Sequence, residues 1–447
     1  MTGAATPPTG SRPGATVTAP SPRAASLVLA AAATAYFVGV THRTALGVAG
    51  TQAIERFGLT ATTLALFSVL QLAVYAAMQI PAGRLMDRFG PRAVIVTGSL
   101  VMATGQLVLA VSTHVPTALL ARVLIGAGDA GIFISVIRLV AVWYPPRRIP
   151  VMVQVTGLVG QSGQLASAIP VAWLLHESGW TTTFGSLAAV GAAVAVLAFA
   201  GVRTPPGAVS VPTTPEHGFW HTVRAATRPA GTRLGFWSHF ATPFSANVIA
   251  MLWGFPFFTT AQQRTPAEAS LLLTLLTLTA MGTGPVIGML AGRHPLRRTW
   301  LVLGSCLATL AAWLLVLVPG TPRPLWVLVL FVVVIGAGGP TSLVGMDFAR
   351  SSTPPQWLGT ASGFVNTGGF ISTIVGVLAV GLVLQALSPA GAATYSLDAY
   401  RAAFSVLAVP WLLGVLGVLR QRRRTRAELA AAGTVVPPIR EVLRRVR

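Results

Sequence analysis

Runs of about 20 consecutive apolar residues recur along the whole chain, each long enough to cross a hydrocarbon core as a helix. A bilayer core offers no hydrogen bonds to a backbone, so a segment at that depth must satisfy its own N–H and C=O groups. A helix does this within one run. Barrel strands would alternate in polarity, and these runs do not. The charge content agrees, because 9% of the 447 residues are charged where a soluble chain carries about a quarter.

The runs read as twelve spans: 26–54, 60–82, 93–112, 116–143, 149–175, 181–202, 234–259, 267–290, 299–318, 324–346, 357–386 and 402–419. Turn signals separate them, among them Phe89-Gly90-Pro91, Pro145-Pro146 and Pro319-Gly320. The longest polar gap, 203–233, is Pro-rich and carries Arg224 and Arg228, which suits a cytoplasmic linker between two sets of six. The fold expected is an all-α membrane protein of two pseudo-symmetric six-helix bundles, 26–202 and 234–419. Residues 1–25 read as a disordered tail. A signal peptide is the rival reading for the first apolar stretch. The apolar run continues through Val38 and resumes after Arg43, which favours an uncleaved first span.

All 31 basic residues are Arg. With both termini placed inside, 24 of them fall in inside segments, 4 in outside loops and 3 within spans. This is the positive-inside pattern of a multi-pass protein, expected here in the cell membrane. It also accounts for the net charge of +21 without nucleic acid, whose recognition would need a basic face on a folded domain. The basic tail 420–447 is expected to lie on anionic lipid. The lone Cys306 excludes an intrachain disulfide. The working unit expected is a monomer.

The halves repeat. Gly83, Arg88 and Arg92 after span 2 recur as Gly288, Arg293 and Arg297 after span 8, at an offset of 205. Gly157-x-Val-x-x-x-Gly163 recurs as Gly363-x-Val-x-x-x-Gly369, at an offset of 206. Parallel six-span repeats with a site near the midplane between them are a transporter architecture.

The stretch Gly83-Arg-Leu-Met-Asp87-Arg88-Phe-Gly90-Pro-Arg92 resembles the loop between spans 2 and 3 of the major facilitator superfamily. Arg43-x-x-Leu46-x-Val48-Ala49 resembles the span 1 signature of its organic anion and sugar-phosphate branches, and Arg122-Val-Leu-Ile-Gly126-Ala-Gly-Asp129 resembles their span 4. The second half matches less well, Gly292 standing where the loop motif has Asp. The resemblance implies a secondary transporter, with Gly83, Asp87, Arg88, Gly90 and Arg92 forming a cytoplasmic gate whose ion pairs are made in one conformation and broken in the other.

The residues support a site on their own account. A charge in mid-membrane is costly and faces a cavity or a partner. Arg43 lies well inside span 1, and Asp129 lies about 20 Å from the outer end of span 4 at 1.5 Å per residue, so the two can share a depth. Arg122, Gly126 and Asp129, spaced i, i+4, i+7, lie on one face. An Arg in a watery cavity suits bidentate recognition of carboxylate or phosphate, here Arg43 assisted by Arg122. A carboxylate among apolar helices suits proton exchange, here Asp129. The alternative is that Arg43 and Asp129 form a static structural pair. Gln161, Gln164, Asn247 and Asn366 either line the cavity or hold helices together by hydrogen bonding. His239 reads as interfacial, near the inner end of span 7. Aligning Gly126 with Gly336 sets Arg138 within one residue of Asp347, so two gate pairs of exchanged charge are expected, Asp87 with Arg138 and Asp347 with Arg293.

The chain has no lysine and so no phosphate-cradling loop of the ATPase type, and it shows no metal-ligand cluster and no nucleophile–base pair. No cofactor is expected and an enzyme is unsupported. The function expected is proton-coupled symport of a small organic anion. Proton antiport exporting a drug-like or secreted metabolite is the alternative, and a transporter-like sensor that moves nothing is a further one.

Overall fold

The computed structural model describes residues 21–58, 61–205, 218–387 and 395–436. Those residues are overwhelmingly helical and include no strand. Ten continuous helical stretches are long and apolar enough to cross a membrane. One of them, Val69–Val111, has 43 residues, about 65 Å of helix and twice the thickness of a hydrocarbon core. It turns back at Gly90, where φ is 80°, and Ile149–Gly201 turns back at Gly179, where φ is 73°. Both torsions are left-handed, which glycine adopts without a Cβ clash. Each of these two stretches therefore holds two crossings, which makes twelve among the described residues.

Span 1 is Pro22–Val48, begun by the Ser21 hydroxyl accepting from the Ala24 N–H. It stops at Ala49, and a separate short helix, Gly50–Phe57, follows. Spans 2 and 3 form the continuous helix Ala61–Val111. Span 4 is broken into Val115–Asp129 and Ile132–Trp143. Spans 5 and 6 run from Ile149 to Gly201 through a wide π-helical turn, Ser167–Val171, that holds Pro170. Span 7 begins at Ala230 and is interrupted at Thr242-Pro243. Spans 8, 9 and 11 are Pro266–Arg293, Arg298–Leu317 and Leu358–Ala386. Span 10 is Leu325–Thr341 followed by Val344–Ser352, and span 12 is Leu397–Ser405 followed by Ala408–Ala431.

Two expectations about the segments outside the bundles are revised. The linker read as 203–233 holds a helix, Phe219–Thr227, whose inner face buries Thr222 and Ala226, and span 7 starts four residues before its expected Leu234. The basic segment 420–447 does not begin as a tail, since the last helix runs on to Ala431. There the Glu428 carboxylate accepts from the Ala230 N–H at 3.2 Å and so caps span 7. Residues 1–20, 206–217 and 437–447, where the remainder of the two tails and the linker fall, lie outside the described residues.

The halves meet along two seams, both running from the Arg-rich end to mid-membrane. In one, span 2 packs against span 11, and Gly83 and Gly359 approach so closely that a Cβ on either would strike the other's backbone carbonyl. In the other, span 5 packs against span 8, where a Cβ on Gly288 would lie 2.8 Å from the Pro150 carbonyl. Between the seams lies an apolar core shared by both halves, with Ile137 and Val153 from the first and Met346 and Ala361 from the second. The Arg-rich end is thus closed.

Candidate functional site

Above that core, a cavity of about 500 Å³ lies between the halves. Its first-half wall carries Tyr36, Arg43, Tyr75, Gln154, Gln161 and Gln164, and its second-half wall carries His239, Asn247, Asn366 and Thr373. Among the described residues, Arg43 is the one charged side chain on the lining.

The cavity exists at this depth because several spans depart from regular helix there. Span 4 stops at Asp129 and restarts at Ile132, and span 5 opens into its π-turn after Ala166. Each departure frees backbone groups that only a protein or water-lined interior can satisfy. The Thr44 hydroxyl lies 2.7 Å from that of Ser167 at the π-turn, and the Thr41 hydroxyl donates to the Gly163 carbonyl at 3.0 Å.

Arg43 holds the centre of the first-half wall. Its Nε is 2.7 Å from Asp129 Oδ2, and a terminal nitrogen donates to Oδ1 at 3.4 Å. The guanidinium lies over the Tyr75 ring, 4.7 Å from the centroid. The two partners differ in exposure: the Arg43 side chain is 22% exposed and Asp129 is 0%. The carboxylate therefore sits behind the arginine, reached from the cavity only past it. His42 points away, against Gly191 of span 6.

Arg122 is placed otherwise than expected. It is buried and off the cavity lining, and it donates to the Arg43 carbonyl at 3.4 Å. Its position seven residues before Asp129 puts it on the same helix face but about 10 Å further along the axis. It backs span 1 and does not meet the cavity. Gln161, Gln164, Asn247 and Asn366 all line the cavity. Asn247 donates to the Thr373 hydroxyl at 3.1 Å, and Asn366 donates across the seam to Gln79 at 2.8 Å. His239 is buried on the cavity wall, with Nδ1 3.0 Å from the Ser342 carbonyl, and is not interfacial as the sequence suggested.

At the closed end the expected ion pairs are replaced by other contacts. The Asp87 carboxylate accepts from the Gly359 N–H at 2.7 Å and from the Thr360 N–H and hydroxyl at 2.8 Å each. These are the second and third backbone donors of span 11, whose own preceding residue, Trp357, has no side chain able to cap them. Asp87 thus caps a helix of the opposite half, satisfying donors that a helix start leaves orphaned. Arg138 attracts it electrostatically but does not come within salt-bridge distance. Arg88 lies over the Phe89 ring and Arg92 over Phe199. In the second half, Asp347 pairs at 2.9 Å with Arg350, one turn along its own helix. Arg298 donates to its backbone carbonyl at 3.4 Å, and Arg293, the last residue of span 8, is exposed. A side chain one turn away on the same helix reaches Asp347 at less conformational cost than one at the end of span 8.

Tyr36, Tyr75, Gln79 and Gln154 were not singled out in the sequence, yet each lines the cavity or the seam beneath it. Gln154 donates to the Pro340 carbonyl at 2.9 Å, crossing from span 5 to span 10.

Comparison with known proteins bears on this arrangement. A family model described as Major Facilitator Superfamily matches residues 32–264 and again 235–447. A protein described as a probable sulfoacetate transporter from Cupriavidus necator is 28% identical over 155 residues, which are 35% of this chain and 36% of that protein. The alignment thus spans about a third of that relative. The methylenomycin A resistance protein of Streptomyces coelicolor is 24% identical over 90% of this chain and 94% of its own length. Among solved structures, the transporter FucP in its outward conformation superimposes with a TM-score of 0.68 at 16% identity, covering 90% of this chain and 99% of that one.

Proposed function

Since the chain belongs to the Major Facilitator Superfamily and is a secondary transporter, we propose that it moves a small organic anion together with protons by alternating access. The observation that carries the reading is Arg43, among the described residues the one charge on the cavity lining, neutralised from behind by a fully buried carboxylate. An anion entering the cavity competes with Asp129 for the same guanidinium. A proton on Asp129 removes the competitor and frees the planar fork for a carboxylate, sulfonate or phosphate. Anion and proton therefore favour each other's binding, which is the linkage symport requires. The printed description of the Cupriavidus relative, a sulfoacetate transporter, supports an anionic substrate. The Arg-rich closed end supports an outward-facing state of a cell-membrane protein with cytoplasmic termini; the working unit proposed is a monomer.

Export is the second reading, and the match to a resistance protein over 90% of this chain favours it. Proteoliposomes holding a pH-sensitive dye separate the two. Under symport, external carboxylates, sulfonates, sugar phosphates or nitrate acidify the lumen. Under antiport, the same compounds loaded inside acidify the lumen as they leave, where symport would turn it alkaline. A sensor would bind one of these compounds, read as thermal stabilisation, and move no proton.

A further inference from the structure

One buried bond joins the proton site to the seam between the halves. Gln79 of span 2 is 0% exposed. Its Nε2 donates at 3.2 Å to the carbonyl of Ala130, the residue after Asp129 in the break of span 4. Its Oε1 accepts at 2.8 Å from Asn366 of span 11, in the other half. Asn366 also donates to the Tyr75 hydroxyl at 3.4 Å, and the Tyr75 ring carries the Arg43 guanidinium. The polar path is therefore a closed circuit: Asp129, Arg43, Tyr75, Asn366, Gln79 and back to the backbone beside Asp129.

The direction of every bond follows from one group. A backbone carbonyl can only accept, so Gln79 must turn its nitrogen to Ala130 and its oxygen to Asn366, and Asn366 must answer with its nitrogen. The contact is also tight, since a Cβ on Gly363, one turn below Asn366, would strike the Gln79 carbonyl. The break at 130–131 is where span 4 has no continuous ladder to resist movement, and Gln79 is the side chain that ties that break to the opposite half.

We propose that Gln79 and Asn366 are positioning residues for coupling. Loss of the Asp129–Arg43 pair shifts the break of span 4, and the Gln79–Asn366 bond passes that shift to the seam of spans 2 and 11, which then opens at the Arg-rich end. This rests on the reading of Asp129 as the proton site, and the test keeps the two separable.

The reporter is Met346→Cys in a Cys306→Ser background. Met346 is 2% exposed in the core between the halves and becomes accessible only when the Arg-rich end opens. Full-length protein in detergent is treated with a membrane-impermeant maleimide, without substrate, in a double-mutant cycle. Asp129→Asn, which mimics the protonated carboxyl, is expected to change the labelling rate by about fivefold, the weight of one buried hydrogen bond. In a Gln79→Leu protein, adding Asp129→Asn is expected to change it less than about twofold, because nothing passes the change on. Asn366→Leu, made from the other half, should erase the effect equally, and it carries the test if Gln79→Leu folds poorly. A merely structural role would shift both rates and leave the ratio intact. If Asp129→Asn acts undiminished in both leucine backgrounds, the link is refuted and the proton reading stands. If it has no effect with Gln79 and Asn366 present, the proton reading fails and the link with it.

Discussion

Removing the carboxylate of Asp87 should open the Arg-rich end, and the structure sets the size of the effect. Asp87→Ala deletes the acceptor for the Gly359 and Thr360 N–H groups, together with the Thr360 hydroxyl. Loss of a helix cap costs about 1 kcal/mol. Burial pushes the Asp87 carboxyl up to about 6, so its charge adds nothing further at the helix N-terminus. Only the state with spans 2 and 11 together forfeits these contacts, so about 1–2 kcal/mol is lost from one side of the equilibrium. That corresponds to roughly 5- to 30-fold toward the state open at the Arg-rich end. Maleimide labelling of Met346→Cys should accelerate accordingly, up to the rate of full opening. Arg138→Asp should fail to restore Asp87→Arg, because Arg138 only attracts Asp87 from a distance, and a new acid at 138 cannot rebuild the cap. Labelling of that double variant returned to the parent rate would show that the pair, and not the cap, closes this end.

Two further outcomes follow from the site and the seam. Arg43→Lys should lower uptake by at least about tenfold, since a point charge cannot replace the fork, whereas Arg122→Lys should leave substrate affinity within about twofold, because Arg122 is off the lining; binding titrations on both proteins check this. Gly363→Val should push spans 2 and 11 apart at Gln79 and raise the labelling of Met346→Cys, while Gly304→Val, at a glycine with open space beside it, should not.

The twelve spans were legible because the bilayer imposes length and polarity on each one separately, and the glycine turns at 90 and 179 fell in gaps already marked. Arg43 and Asp129 were legible because a charge in an apolar run has few places to go, and the structure pairs them. What the sequence could not supply was the partner across the seam. Asp87 was matched to an arginine by charge, yet its donors are uncharged backbone groups 272 and 273 residues away. The same blindness hid Gln79 and Tyr75, since a lone polar or aromatic residue in an apolar run does not say which way it faces. One signal was present. Tyr75, Gln79, Gly83 and Asp87 recur every four residues, so they form one slowly turning stripe. All four meet span 11, at Phe370, Asn366, Gly359 and Thr360.

The measurement closest to the central claim compares two modes of transport by Asp129→Asn in proteoliposomes. A side chain that mimics the protonated carboxyl leaves Arg43 free for the anion but has no proton to give up. Exchange of internal for external substrate should therefore persist, while accumulation driven by a pH gradient should vanish. Accumulation by Asp129→Asn against the substrate gradient, at a rate near that of the parent, would contradict the account.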